Sequence, residues 1–253
     1  MSFIKKTVKV IKYRLWMYLG SNRPGLKVLG IYNKIANKNI SITTGNTDIV
    51  IEGFPRSANT YVAASIMVLN GDKLNIARHV HGSAQLILGI EKGIPAVLLI
   101  RNPVDAIASL KLRSPYLPSR VIIQNYIEFH KQLESYIDKL ILIDFKDATN
   151  NIVSIVEYLD DYYNLSLKIP NKLQSYKNEI NSMVDKMDML DRSQKNINDF
   201  TVGRPNDTRK KASHLIKNNL YKKYPRELEK CETIYFKYLS KKLIFDLAPQ
   251  KLD

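Results

Sequence analysis

Gly53-Phe54-Pro55-Arg56-Ser57-Ala58-Asn59-Thr60-Tyr61 lies between two apolar runs, Ile49-Val50-Ile51 before it and Val62 to Leu69 after it. The pattern predicts a strand, a tight loop and a helix start. The loop carries Arg56, the hydroxyls of Ser57 and Thr60, and several backbone N–H groups at a helix N-terminus. Unpaired N–H groups and the positive end of the helix dipole attract an anion to such a place. The plain alternative is a strand-to-helix turn capped by Ser or Asn. The loop departs from the nucleotide pattern G-x-x-x-x-G-K-[ST], which needs a Gly at Ala58 or Asn59 and a Lys directly after it. Here the cation precedes the hydroxyls, which weakens an ATP or GTP reading.

A second segment repeats the plan. Ile94 to Ile100 reads as a buried strand, ending in Arg101-Asn102-Pro103, and Val104 to Leu112 as a helix. Pro103 suits the first helical position, where the missing N–H costs nothing. Arg101 therefore leaves the carboxyl end of a strand, where open α/β sheets bind ligands. Ser109 follows eight residues later, about two helical turns on. A structural ion pair with Asp105 is the simpler role for Arg101.

Together the two segments resemble the sulfotransferase family that uses 3'-phosphoadenosine-5'-phosphosulfate (PAPS). Pro55, Arg56, Ser57, Asn59 and Thr60 are similar to the family's 5'-phosphosulfate loop. Arg101 and Ser109 have the spacing of its 3'-phosphate site. His79, twenty-two residues before Arg101, stands where many members carry their catalytic base, and His81 is close enough to compete. The resemblance runs from about Asp48 to the C-terminus. It implies a three-layer, P-loop-like α/β fold with a mostly parallel central sheet flanked by helices. It also implies a nucleotide site made of Arg56, Ser57, Ala58, Asn59, Thr60, Tyr61, Arg101 and Ser109, with Arg209 and Lys210 from a faintly similar C-terminal loop, Val202 to Lys210. A solvated basic loop accounts equally well for that last segment.

Two departures carry expectations. Ala58 replaces the family's usual Gly, so its backbone is expected to avoid positive φ. Arg56 replaces a common Lys; a guanidinium stays charged and donates in a planar fork, so electrostatic work on sulfuryl and bridging oxygens suits it better than proton transfer. By analogy within the family, this Arg points to a carbohydrate or glycan acceptor. The implied reaction moves a sulfuryl group from PAPS to a hydroxyl, with His79 taking the proton. No metal is expected, since the four histidines and Cys231 show no ligand spacing and the adjacent pair Asp160-Asp161 does not share a helix face.

The chain of 253 residues carries a net charge of +15, placed unevenly. Residues 1–47 hold nine Lys or Arg and no acid, and are read as a basic amphipathic segment ahead of a sulfotransferase-like domain over 48–253. Ile4, Val8, Ile11, Leu15 and Leu19 recur at helical spacing, with Phe3, Trp16 and Tyr18 nearby. Residues 1–20 so arranged can lie on an anionic membrane surface, or pack their stripe on the domain. Too many charges interrupt them for a span or a secretory signal. No nucleic-acid motif accompanies the charge, which argues against that partner. A single cysteine suits the cytoplasm, with peripheral attachment to the inner membrane face. Strands are expected near 48–54, 95–101 and 140–145, and helices near 60–70, 103–112, 119–139, 147–163, 208–220 and 225–241. Two rival functions remain open from sequence: a nucleotide-dependent kinase, and a non-catalytic basic protein binding membrane or nucleic acid.

Overall fold

The computed structural model of the chain describes residues 3–36, 40–70, 73–167, 173–192 and 207–244. Two helices, α1 (Phe3–Gly20) and α2 (Arg23–Ala36), precede an alternating region. That region runs β1 (Ile49–Gly53), α3 (Asn59–Asn70), β2 (Ile76–Arg78), α4 (Ser83–Glu91), β3 (Ala96–Ile100), α5 (Pro103–Arg113) and α6 (Ser119–Leu133). A 3-10 turn at Glu134–Lys139 leads into β4 (Ile141–Asp144), α7 (Phe145–Asn150) and α8 (Ile152–Tyr163). Helices α9 (Leu173–Arg192), α10 (Asp207–Lys223) and α11 (Pro225–Leu239) complete the described chain.

Among the described residues the strands form one parallel sheet in the order β2-β1-β3-β4. Both faces are buried, and the strands are accordingly apolar runs without a polar side. Alternate residues feed two separate cores, as the twofold period of a strand requires. Val50, Leu98 and Leu142 pack towards α4, α5, α6, α10 and α11. Ile51, Val97 and Ile143 pack towards α3, α7, α8 and α9. The molecule is therefore an α/β structure with its parallel sheet covered by helices on both faces.

The three expected strands are present, and β2 is an addition. Its three residues, Ile76-Ala77-Arg78, are too short to show a period. The run expected as one helix over 119–139 ends as a helix at Leu133, and that expected over 147–163 is broken at Asn151. Each sheet edge has a backbone guard: Ser41 bridges Arg78 of β2, and the Leu243 N–H donates to the Leu142 carbonyl of β4 at 2.9 Å. Such guards blunt an edge against unwanted pairing.

Helices α1 and α2 pack through Leu26 and Leu29, with Trp16 and Leu19, onto Val80 and Ala84. Trp16 Nε1 donates to the Val80 carbonyl at 2.9 Å. Of the stripe read from sequence, Leu19 packs inward, whereas Ile4, Val8, Ile11 and Leu15 face solvent. No helix among the described residues is long and apolar enough to cross a membrane.

Candidate functional site

In the strand order β2-β1-β3-β4, the chain leaves β1 by α3 on one face and returns from β2 by α4 on the other. The order thus reverses between β1 and β3, and a crevice is expected at their carboxyl ends. The loop after Gly53 and the residue Arg101 both emerge there.

Gly53 closes β1 where no side chain fits: a Cβ would meet the Leu99 carbonyl oxygen at 2.3 Å and Asn59 Oδ1 at 2.7 Å. Asn59 then ties the loop down, its Nδ2 donating to the Gly53 and Phe54 carbonyls at 3.1 and 3.2 Å. Ala58 accepts the first helical bond of α3 from Val62 N–H at 3.0 Å. Contrary to expectation, Ala58 adopts φ +74°, and Arg56 φ +76°. The loop needs left-handed backbone at these two places to turn from β1 into α3, and it takes that conformation even without glycine. Left-handed residues of this kind gather successive N–H groups into anion-binding concavities. Ser57 Oγ and Asn59 Oδ1 are buried in the loop and carry no hydrogen bond among the described residues.

Three residues predicted for phosphate meet here. Arg56 Nε donates to Ser109 Oγ at 3.0 Å, and Arg101 Nη1 donates to the Arg56 carbonyl at 2.6 Å. The Arg101 guanidinium lies 3.8 Å from the centroid of the Phe145 ring, a cation–π contact that also fixes its plane. Asn102 caps α5 by accepting from the N–H groups of Val104 and Asp105, at 3.1 and 3.2 Å. The ion pair considered between Arg101 and Asp105 does not form; Asp105 pairs with Lys217 of α10. Tyr61 is half-buried and packs with the α3 and α9 side chains, and burial raises its phenol pKa. The α10 backbone passes through Arg209 and Lys210, but their side chains lie outside the described residues.

The two histidines stand on the segment after β2, both with left-handed backbone, φ +67° at His79 and +56° at His81. His79 Nε2 lies 2.8 Å from Thr60 Oγ1, and its Nδ1 lies 3.1 Å from Arg78 Nη1. A guanidinium can only donate, so Nδ1 is the acceptor and the ring proton sits on Nε2, pointing at Thr60. His81 has the opposite tautomer. Its Nδ1 is 3.0 Å from the Gly53 carbonyl, which can only accept, and 3.3 Å from Asn59 Nδ2, whose two hydrogens already serve the Gly53 and Phe54 carbonyls. The shorter contact places the proton on Nδ1 and the lone pair on Nε2. The ring centroids are 5.9 Å apart.

Glu52 organises this segment, and sequence reasoning overlooked it. Fully buried, its carboxyl accepts from Val80 N–H at 2.7 Å, His81 N–H at 2.9 Å and Gln85 Nε2 at 2.9 Å. Burial pushes its pKa up to about 8, and those hydrogen bonds hold the rise back. The signal was an acid completing an otherwise apolar strand. Arg78 and Phe145 left no such mark. His130 is also fully buried, its ring tilted against that of Tyr126, and burial lowers its pKa to about 4; it is a core residue.

Beside His81 opens a cleft of about 370 Å³ between α1, the start of α4 and α6. Its walls carry amides (Gln124, Asn125, Gln132), a hydroxyl from Ser83 and the ring of Phe129. Among the described residues no group of His, Cys, Asp or Glu could hold a metal ion. No protein-family model matches the chain, and searches of curated proteins and of solved structures return no match either.

Proposed function

We propose that the chain is a PAPS-dependent sulfotransferase with a P-loop-like fold, acting on a hydroxyl of a carbohydrate or glycan precursor in the cytoplasm. One observation carries the reading: Arg56, Arg101 and Ser109 converge by hydrogen bonds at the carboxyl ends of β1 and β3. The donor fits the residues present. Two clustered guanidiniums suit its phosphates, and the buried Ser57 hydroxyl is a donor that a phosphate oxygen of a bound nucleotide would satisfy.

Bound PAPS would supply a sulfuryl group already joined to a phosphate leaving group. The chain's own work is positioning and charge stabilisation. Ser57, Thr60 and the loop N–H groups would hold the leaving end, and Arg101 with Ser109 the 3'-phosphate. Arg56 spans both, its backbone in the loop and its side chain on Ser109. His79, the histidine that the resemblance names, keeps its Nε2 proton on Thr60 and serves to orient that hydroxyl. His81 is the better base: its Nε2 lone pair belongs to a ring that lines the cleft. It would take the acceptor's proton as the new O–S bond forms and the bond to phosphate breaks. The amides and hydroxyls of the cleft match the donors and acceptors of a sugar.

Calorimetric titration with 3',5'-adenosine bisphosphate, against 5'-AMP and Mg-ATP, tests the donor site. The expected result is selective bisphosphate binding, weakened at least about tenfold in Arg101→Ala by loss of charge-assisted bonds. Tighter binding of Mg-ATP would sink the proposal in favour of a kinase.

A further inference from the structure

Nine of the sixteen large apolar side chains exposed among the described residues belong to α1 and α2. On α1 they are Ile4, Val8, Ile11, Leu15 and Tyr18, and at 3.6 residues per turn they fall within an arc of about 80°. The opposite face of the same helix packs on the body through Val10, Tyr13 and Trp16. On α2 the exposed set is Val28, Ile31, Tyr32 and Ile35, again at helical spacing. The two helices are joined by an edge contact of Trp16 with Tyr32, centroids 6.2 Å apart.

Charge selects the occupant. Residues 1–47 hold nine Lys or Arg and no acid, and the eight cations within the two helices are all exposed. A second copy docking by the same face would bring two such sets together, which like-charge repulsion opposes. Nucleic acid would meet the cations but offers nothing to a stripe of aliphatic side chains. An anionic lipid surface satisfies both: acyl chains take the stripe and headgroups take the flanking cations.

We propose that α1 and α2 form a docking hairpin that lays its exposed apolar stripes into an anionic lipid surface. Trp16 does not enter the lipid; it is turned inward onto the Val80 carbonyl, beside the two histidines. The hairpin also supplies Arg14, Met17 and Tyr18 to one wall of the cleft at His81. Docking therefore holds that cleft close to the bilayer. The proposal is independent of the nucleotide reading, because its readout is lipid binding alone.

The test is flotation of the full chain with phosphatidylcholine vesicles, with and without phosphatidylglycerol, at low and high salt. The expected result is flotation with the anionic vesicles only, reduced by salt, and lost at least about tenfold in the double variant Ile11→Glu, Ile31→Glu. Both side chains are exposed, so the variant should keep the wild-type thermal melt and far-UV circular dichroism. Absence of flotation with anionic vesicles, or equal flotation of the variant, would overturn the proposal. So would a wild-type dimer in sedimentation velocity that the variant splits, without vesicle binding, since the stripe would then belong to a second copy.

Discussion

Four non-glycine residues of the site, Arg56, Ala58, His79 and His81, hold left-handed backbone. Each costs on the order of 1–3 kcal/mol, and such strain persists only where the surroundings over-determine it. Here those surroundings are the Asn59 amide on one side and the Glu52 carboxyl on the other. The strand-loop-helix placement of Arg56, Ser57 and Thr60 was legible because a charge and two hydroxyls stand between two apolar runs, a pattern that a capped turn also produces. The tautomers were not, since they depend on Arg78 and on the Gly53 carbonyl. They lead to a prediction at the residue scale. His81→Asn should lower kcat by on the order of 10²–10⁴-fold with nucleotide affinity unchanged. His79→Asn, whose amide can still donate to Thr60, should cost less. The comparison is steady-state turnover of both variants, and the reverse ranking would return the base to His79.

At the scale of elements, the segment after β2 is a clasp. Glu52 holds it from β1, Trp16 from α1, and Gly82 lets the end of α1 come close. A Cβ on Gly82 would meet the Gly20 carbonyl oxygen at 2.2 Å, and that contact is backbone that cannot turn aside. Gly82→Ala should therefore lower stability by about 1–3 kcal/mol, the usual cost of overpacking, and lower turnover through displacement of His81. Urea unfolding and turnover, measured together, check this; unchanged stability would mean that α1 is not held here. None of this clasp was readable from sequence. Strand β2 is too brief for a period, and α4 is apolar on most sides, so it shows no polar face to mark it as a helix.

For the whole molecule, two buried groups set opposing slopes of stability with pH. Glu52 binds its proton more tightly when folded, so its contribution is full below about 4.5 and is lost as pH rises through about 8. His130 binds its proton less tightly when folded. Its contribution is present above 6.5 and is lost as pH falls towards about 4. Between pH 6.5 and 9 the Glu52 slope stands alone of the two, and stability should fall by on the order of 2 kcal/mol. Urea midpoints across that range should flatten in Glu52→Gln; an unchanged slope would show that Glu52 does not titrate there. The α/β architecture itself was legible, because fully buried parallel strands read as unbroken apolar runs. What the sequence left open was the stripe of α1: its spacing suits a buried face and an exposed one equally, and the packing of Val10, Tyr13 and Trp16 shows that it is the opposite face that is buried.

The guards on the sheet differ in when they become available. Ser41 precedes the β2 edge that it covers, so that border can close as soon as β2 is made. The partner of Leu142 is Leu243, about a hundred residues downstream. During synthesis the β4 border therefore stays uncovered for longer than the β2 border does, an open strand edge of the kind that exposes a folding intermediate to aggregation.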